Sequence, residues 1–287
     1  MAQQPYMIFT ASNRRIFFLL ISGYLLWSGG LFCLWLTGRM IETALFWWSA
    51  GFICLQLFIA AQLLLPVLLF QPQERTRGFY LFWGVFLGLL VWLINQFAPV
   101  GLWQPLVDTL KSGLLLLVAT LTGAVLARYV TKLWEVLPIC LVMTLADFAS
   151  WLIGPTAQFA ETIREHYLAP DGTPPLIDMV LVKLAFPGPP GLAPVFGLSD
   201  WIMVVFFVSV AQRFGINDNL IGAAGEKLAQ QRRFGRYLPV SVVALLVAVL
   251  LAQSTGLFIP ALPVIALIVL LWYAARSLLF CKNRRYR

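Results

Sequence analysis

Long apolar stretches separated by short polar punctuation set the pattern of this chain. A helix needs about 20 predominantly apolar residues to cross the hydrocarbon core of a bilayer. Stretches of that kind recur at approximately 16–37, 44–70, 79–98, 106–127, 133–153, 196–213, 238–256 and 260–280. The pattern predicts an all-α polytopic membrane protein with about eight transmembrane helices. The second stretch is long and contains Pro66, so a kink or tilt is expected there. The sixth is short, and its N-terminal boundary is the least sharply marked. The longest polar interval, Pro155 to Pro194, is rich in Pro and Gly and poor in core formers, so it is not expected to fold alone. Its Pro170–Pro175 and Pro187–Gly191 runs exclude a continuous helix. Between them, Met179 to Phe186 reads either as a strand or as a partly inserted segment.

Composition agrees with the pattern. Apolar residues make up 61% of the 287 and charged residues 11%, against about half and about a quarter in soluble domains. The first apolar run follows Arg14 and Arg15 and exceeds the roughly 7–15 residues of a cleavable signal core, so it reads as an uncleaved first helix. The net charge is +8, but the basic residues cluster at the ends of apolar runs. That is the mark of topology signals rather than of a nucleic-acid surface. With eight spans both termini share one side, and that side collects sixteen of the 20 Lys and Arg residues. The other side holds only Arg39, Lys111, Arg164 and Lys183. The bias predicts cytoplasmic termini and an outward-facing interval 155–195.

The remaining chemistry is sparse. Three of Cys33, Cys54, Cys140 and Cys281 lie inside apolar runs, and none forms a CxxC pair. This argues against a disulfide framework or a zinc site. His166 is the only histidine, which excludes HExxH, and no GxSxG accompanies it. Among the 12 acidic residues, Glu42, Glu74, Asp108 and Glu135 are expected at solvated helix ends, and Glu161, Glu165, Asp171, Asp178, Asp218 and Glu226 in loops. Two are left. Asp147 lies well within the fifth stretch and Asp200 inside the sixth, with no Lys or Arg in either span except Arg213, the last residue of the sixth. A carboxylate near the bilayer centre costs roughly 2.5–3.5 kcal/mol on insertion scales, and such residues mark functional sites. If the two spans are antiparallel neighbours, the carboxyls can approach and share a proton. One then acts as general base on a water while the other polarises or protonates an amide. The same carboxyls also suit a proton-coupled transporter or channel, or helix–helix hydrogen bonding in a scaffold.

Three motifs surround the aspartates. Gly197-Leu198-Ser199-Asp200 resembles the GxGD signature of intramembrane aspartyl proteases, with Ser199 in place of the second glycine. Pro260-Ala261-Leu262-Pro263, opening the last stretch, resembles the PAL motif of presenilins and signal peptide peptidases. The stretch from Asp147 through Pro155 to Glu161-Thr162 and Glu165 looks like the presenilin segment after its first catalytic aspartate. The order of parts is also that of the family: first aspartate, polar loop, Gly-x-x-Asp, one further span, Pro-Ala-Leu.

The resemblance covers roughly residues 133–280. It divides the chain into four N-terminal spans, 1–130, and a presenilin-like catalytic region, 131–287, containing four spans and the loop 155–195. It implies a presenilin-like bundle that cleaves transmembrane segments of membrane proteins, with Asp147 and Asp200 catalytic. Gly197, Leu198 and Ser199 would shape the site, and Pro260, Ala261 and Leu262 would position substrate. It implies no metal or organic cofactor, no nucleic acid, and as partners the bilayer, a substrate helix and any accessory membrane subunits. Two further departures are Ala146, where the family usually has tyrosine, and eight spans where it usually has nine. Presenilins keep the inter-aspartate loop in the cytoplasm; the charge bias here gives the inverted orientation of signal peptide peptidases. In the family the region before GxGD receives an extended substrate, which suits strand addition.

Overall fold

Each of the eight apolar stretches contains one main helix, because in an apolar environment the backbone must satisfy its own hydrogen bonds. The computed structural model describes residues 12–41, 45–69, 77–96, 103–152, 175–231, 233–256 and 259–284. The elements are α1 (Ser12–Gly38), α2 (Phe46–Gln62), α3 (Leu64–Leu69), α4 (Arg77–Gln96), α5 (Gln104–Leu126), α6 (Val136–Leu152), β1 (Leu181–Leu184), β2 (Ala193–Gly197), α7 (Leu198–Arg213), the short α8 (Gly225–Gln230), α9 (Val240–Thr255) and α10 (Ala261–Arg284). Among the described residues, four helices are long and apolar enough to cross a membrane: Phe17–Gly38, Phe46–Leu69 (α2 and α3 together), Gln104–Tyr129 and Leu133–Ser150. Leu81–Gln96, Val240–Thr255 and Ala261–Arg276 are shorter apolar helices.

The break in the second stretch falls at Leu63, which separates α2 from α3. Pro66 explains the position: its ring clashes with the carbonyl four residues back, at Gln62. α7 is buried on nearly every side, from Asp200 and Trp201 through Val210 and Ala211. A helix apolar all round belongs in a core. α3, α5, α9 and α10 pack around it, with α5 making the most extensive contact. Gly123 of α5 permits the close approach, since a Cβ there would lie 2.4 Å from the Ile202 carbonyl oxygen and 2.8 Å from Val205 Cβ.

The outer surface is apolar instead of polar. On α6, Leu137, Leu141, Leu145, Phe148 and Leu152 form an exposed stripe at helical spacing, and α4 shows Leu81, Phe82, Val85, Phe86 and Leu89. Such a surface is an aggregation hazard in water and the expected one against lipid. Trp47, Trp48, Trp103 and Trp134 are exposed at or near helix ends, where an interfacial belt would place them.

The all-helical expectation needs one amendment. β1 and β2 form an antiparallel hairpin, pairing Leu181 with Gly197 and Leu184 with Ala193, with an irregularity between Val182 and Lys183. Of the two readings of Met179–Phe186, the strand is the one observed. It is also buried: Val182, Leu184, Ala185, Phe186 and Leu192 are all under 8% exposed. β1 lies on α5.

Candidate active site where α6, α7 and α10 meet

Asp147 is placed by helical periodicity. On α6, Val136, Cys140, Met143, Asp147 and Ser150 follow one another at spacings of four and three, and none of them is fully exposed. That face packs on α10, which turns Asp147 away from the exposed leucine stripe. The Leu262 backbone N–H hydrogen-bonds the Asp147 carboxyl. This N–H is free because the first four N–H groups of a helix have no intrahelical acceptor, and Leu262 is the second residue of α10. Pro260 and Leu262 are buried, and Ala261 is half-buried. The second Asp147 oxygen, Oδ2, is buried and has no hydrogen-bond partner among the described residues.

Asp200 is held by a local device. Gly197 closes β2 and is also the N-cap of α7. Its backbone N–H donates to Asp200 Oδ2 at 2.8 Å. Gly197 has an ordinary extended φ of −81°, and a Cβ there would meet only the exposed Ser199 Oγ at 3.3 Å and Asp200 Oδ2 at 3.5 Å, so this position does not demand glycine. The α7 N-terminus also favours a negative charge, by about 0.3–1 kcal/mol and up to about 2 in a partly buried geometry. That offsets only part of a buried carboxylate's cost, roughly 2.5–3.5 kcal/mol on insertion scales. Capping alone is therefore a weak reason for an aspartate 9% exposed. Ser199 is exposed, on the side of the first turn away from the core, and Leu198 is half-buried.

Asp147 lies near enough for its charge to act on Asp200, as a smaller influence than burial and the Gly197 hydrogen bond. The route differs from the expected one, in which consecutive spans pack side by side. α6 makes its main helix contact with α10, and α10 in turn touches α7. The Pro-Ala-Leu helix thus links the two aspartate helices. Coupled carboxyls disfavour double ionisation, which is the condition for separating an acid from a base. The stretch after Leu152, including Glu161, Thr162 and Glu165, lies outside the described residues.

Sequence reasoning missed a second ionic cluster. Asp108, expected at a solvated helix end, is instead paired with Lys183 at 3.0 Å, and its side chain is 14% exposed. Lys183 also meets Asp178 at 2.9 Å, and Lys111 meets Asp178 at 3.3 Å. Lys111 adds bonds to Asn95 Oδ1 at 2.9 Å and to the Asp178 carbonyl at 3.0 Å. Two cations and two anions balance, which is how charges tolerate burial. The visible signal was Lys111 inside an apolar run with Asp108 three residues before it, on the same helix face. Among the described residues no cluster of three or more His, Cys, Asp or Glu residues offers a metal site. Compared with known proteins, the chain matches no family model, no curated protein and no solved structure.

Proposed function

We propose that this protein is an intramembrane aspartyl protease that cleaves transmembrane segments with Asp147 and Asp200. The observation that carries the reading is the hydrogen bond from Leu262 to Asp147. Three segments far apart in the chain, each singled out by its family-like motif, converge there: Asp147, the Gly197–Asp200 cap, and Pro260–Leu262. Helix capping gives the Gly197–Asp200 and Pro260–Leu262 segments separate local roles, but it does not require either to lie near Asp147.

In this reading one ionised carboxylate takes a proton from water as the water oxygen bonds to the scissile carbonyl carbon. The protonated partner donates to the carbonyl oxygen, giving a tetrahedral diol. Collapse breaks the C–N bond, and the departing nitrogen takes a proton from the dyad. Leu262 keeps Asp147 oriented, and the Gly197 N–H keeps Asp200 oriented, so neither carboxyl has to be ordered at the moment of reaction. The hairpin immediately before Asp200 offers a substrate strand to pair with, a mode that exposes the scissile backbone.

The reading takes all eight helices as crossing the bilayer, with both termini cytoplasmic. Two of the four basic residues on the outward side, Lys111 and Lys183, are neutralised in buried pairs. The free positive charge outside is therefore even smaller than the residue count.

Cleavage of a tagged helical substrate in reconstituted vesicles tests the proposal. Wild type is expected to release peptide products, while Asp147→Ala and Asp200→Ala fall to background. Turnover retained by either variant removes the mechanism. Uptake driven by a pH gradient, with no peptide product, would instead identify a carrier.

A further inference from the structure

We propose that Lys183 is a positioning residue for Asp200, acting through the hairpin; its effect on turnover rests on the protease reading above. The Lys183 side chain leaves β1 and reaches Asp108 Oδ1 at 3.0 Å and Asp178 Oδ2 at 2.9 Å, with only 4% of its area exposed. Its backbone N–H donates to Ser112 Oγ at 3.0 Å. Asp108, Lys111 and Ser112 stand at i, i+3 and i+4 on α5, so one helix face grips the strand from both sides of its backbone. Two residues on, just past the end of β1, Gln56 of α2 holds the chain again: Ala185 N–H donates to Gln56 Oε1, and Gln56 Nε2 donates to the Ala185 carbonyl, both at 2.9 Å. The hairpin tip is tied to α1 by Gly188 N–H to the Gly38 carbonyl, at 3.1 Å.

β1 thus has a fixed address in the bundle. Its partner β2 ends at Gly197, whose N–H holds Asp200. No residue intervenes between the strand and the helix cap, so displacement of β1 is transmitted to the carboxylate.

The test uses the full chain in lipid nanodiscs. Lys183→Met combined with Asp108→Asn removes one charge of each sign and leaves the Lys111–Asp178 pair balanced. Amide hydrogen exchange at Leu181–Leu184 and Gly197 is expected to accelerate about tenfold or more, with α5 and the body of α7 unchanged. With cleavage as readout, kcat is expected to drop roughly 10–100-fold while KM moves less than about threefold, because geometry at the reacting centre is lost and binding is not. Lys183→Arg, whose fork can serve both carboxylates, is expected to restore most of the turnover. Ser112→Ala, which deletes only the acceptor for the strand N–H, is the milder variant for the case in which the double variant does not fold. It should shift the same amides in the same direction. Unchanged exchange at Gly197 in a folded variant, or wild-type kcat in the double variant, overturns the proposal. If the wild type cleaves nothing while the amides respond as described, the protease reading fails and the tether to Asp200 stands.

Discussion

Burial and a hydrogen bond compete at Asp218, in the segment between α7 and α8. Burial pushes its carboxyl up to about 7, although the Tyr237 hydroxyl, which donates to Oδ2 at 2.8 Å, pulls the other way. Unfolded, the same group titrates near 3.9. The folded state therefore holds an extra proton between roughly pH 4 and pH 7, and stability falls as pH rises through that window. Asp218→Asn is expected to flatten the fall and leave the protein more stable at pH 7, by a few kcal/mol at most. Thermal unfolding in detergent across pH 4–8 measures it, and an unchanged slope would count against the burial account. This carboxyl had the sequence signature of an ordinary loop residue. Asp147 and Asp200 were legible because a charge inside an apolar run stands out. Asp178 and Lys183 were not, because pairing across 67 and 75 residues of chain is tertiary information that no local window carries.

Helices followed the apolar runs closely, within a few residues at most ends, since twenty apolar residues leave the backbone few alternatives. Two features of the elements needed the structure. The bend in the second stretch sits at Leu63 instead of at Pro66, for the steric reason given above. The strand within 179–186 was undecidable from the sequence, because a short apolar run has no period of its own. What selects it is the bundle: Ser112 and Gln56 accept the N–H groups of Lys183 and Ala185. The α5–α7 crossing depends on Gly123. Gly123→Leu would drive its side chain into the Ile202 carbonyl and Val205, and is expected to cost about 1–3 kcal/mol or more. That loss should exceed the roughly 1 kcal/mol gained from better helix propensity. Chemical unfolding in detergent gives the sign: a stabilised variant would mean that the helices part easily.

On the scale of the whole molecule, apolar side chains form the outer surface as well as the core, and the buried polar groups are few. Arg39, on the side that the charge bias predicts to face outward, stacks on Trp35 with its guanidinium 5.4 Å from the ring centroid, while Lys111 and Lys183 are sequestered. A reporter active only in the cytoplasm, fused to the C-terminus, is expected to give signal, and a reporter active only outside is expected to be silent. The reverse pattern would overturn the orientation. Direction of another sort is built into the small sheet. Because α5 occupies the backbone of β1 at Lys183, and α2 that of Ala185 just beyond it, that side of the hairpin cannot recruit a neighbour. Any chain that lengthens the sheet must join along β2, with its register counted from Gly197, three residues short of Asp200. The closed side also guards against association: two copies cannot zip together through β1.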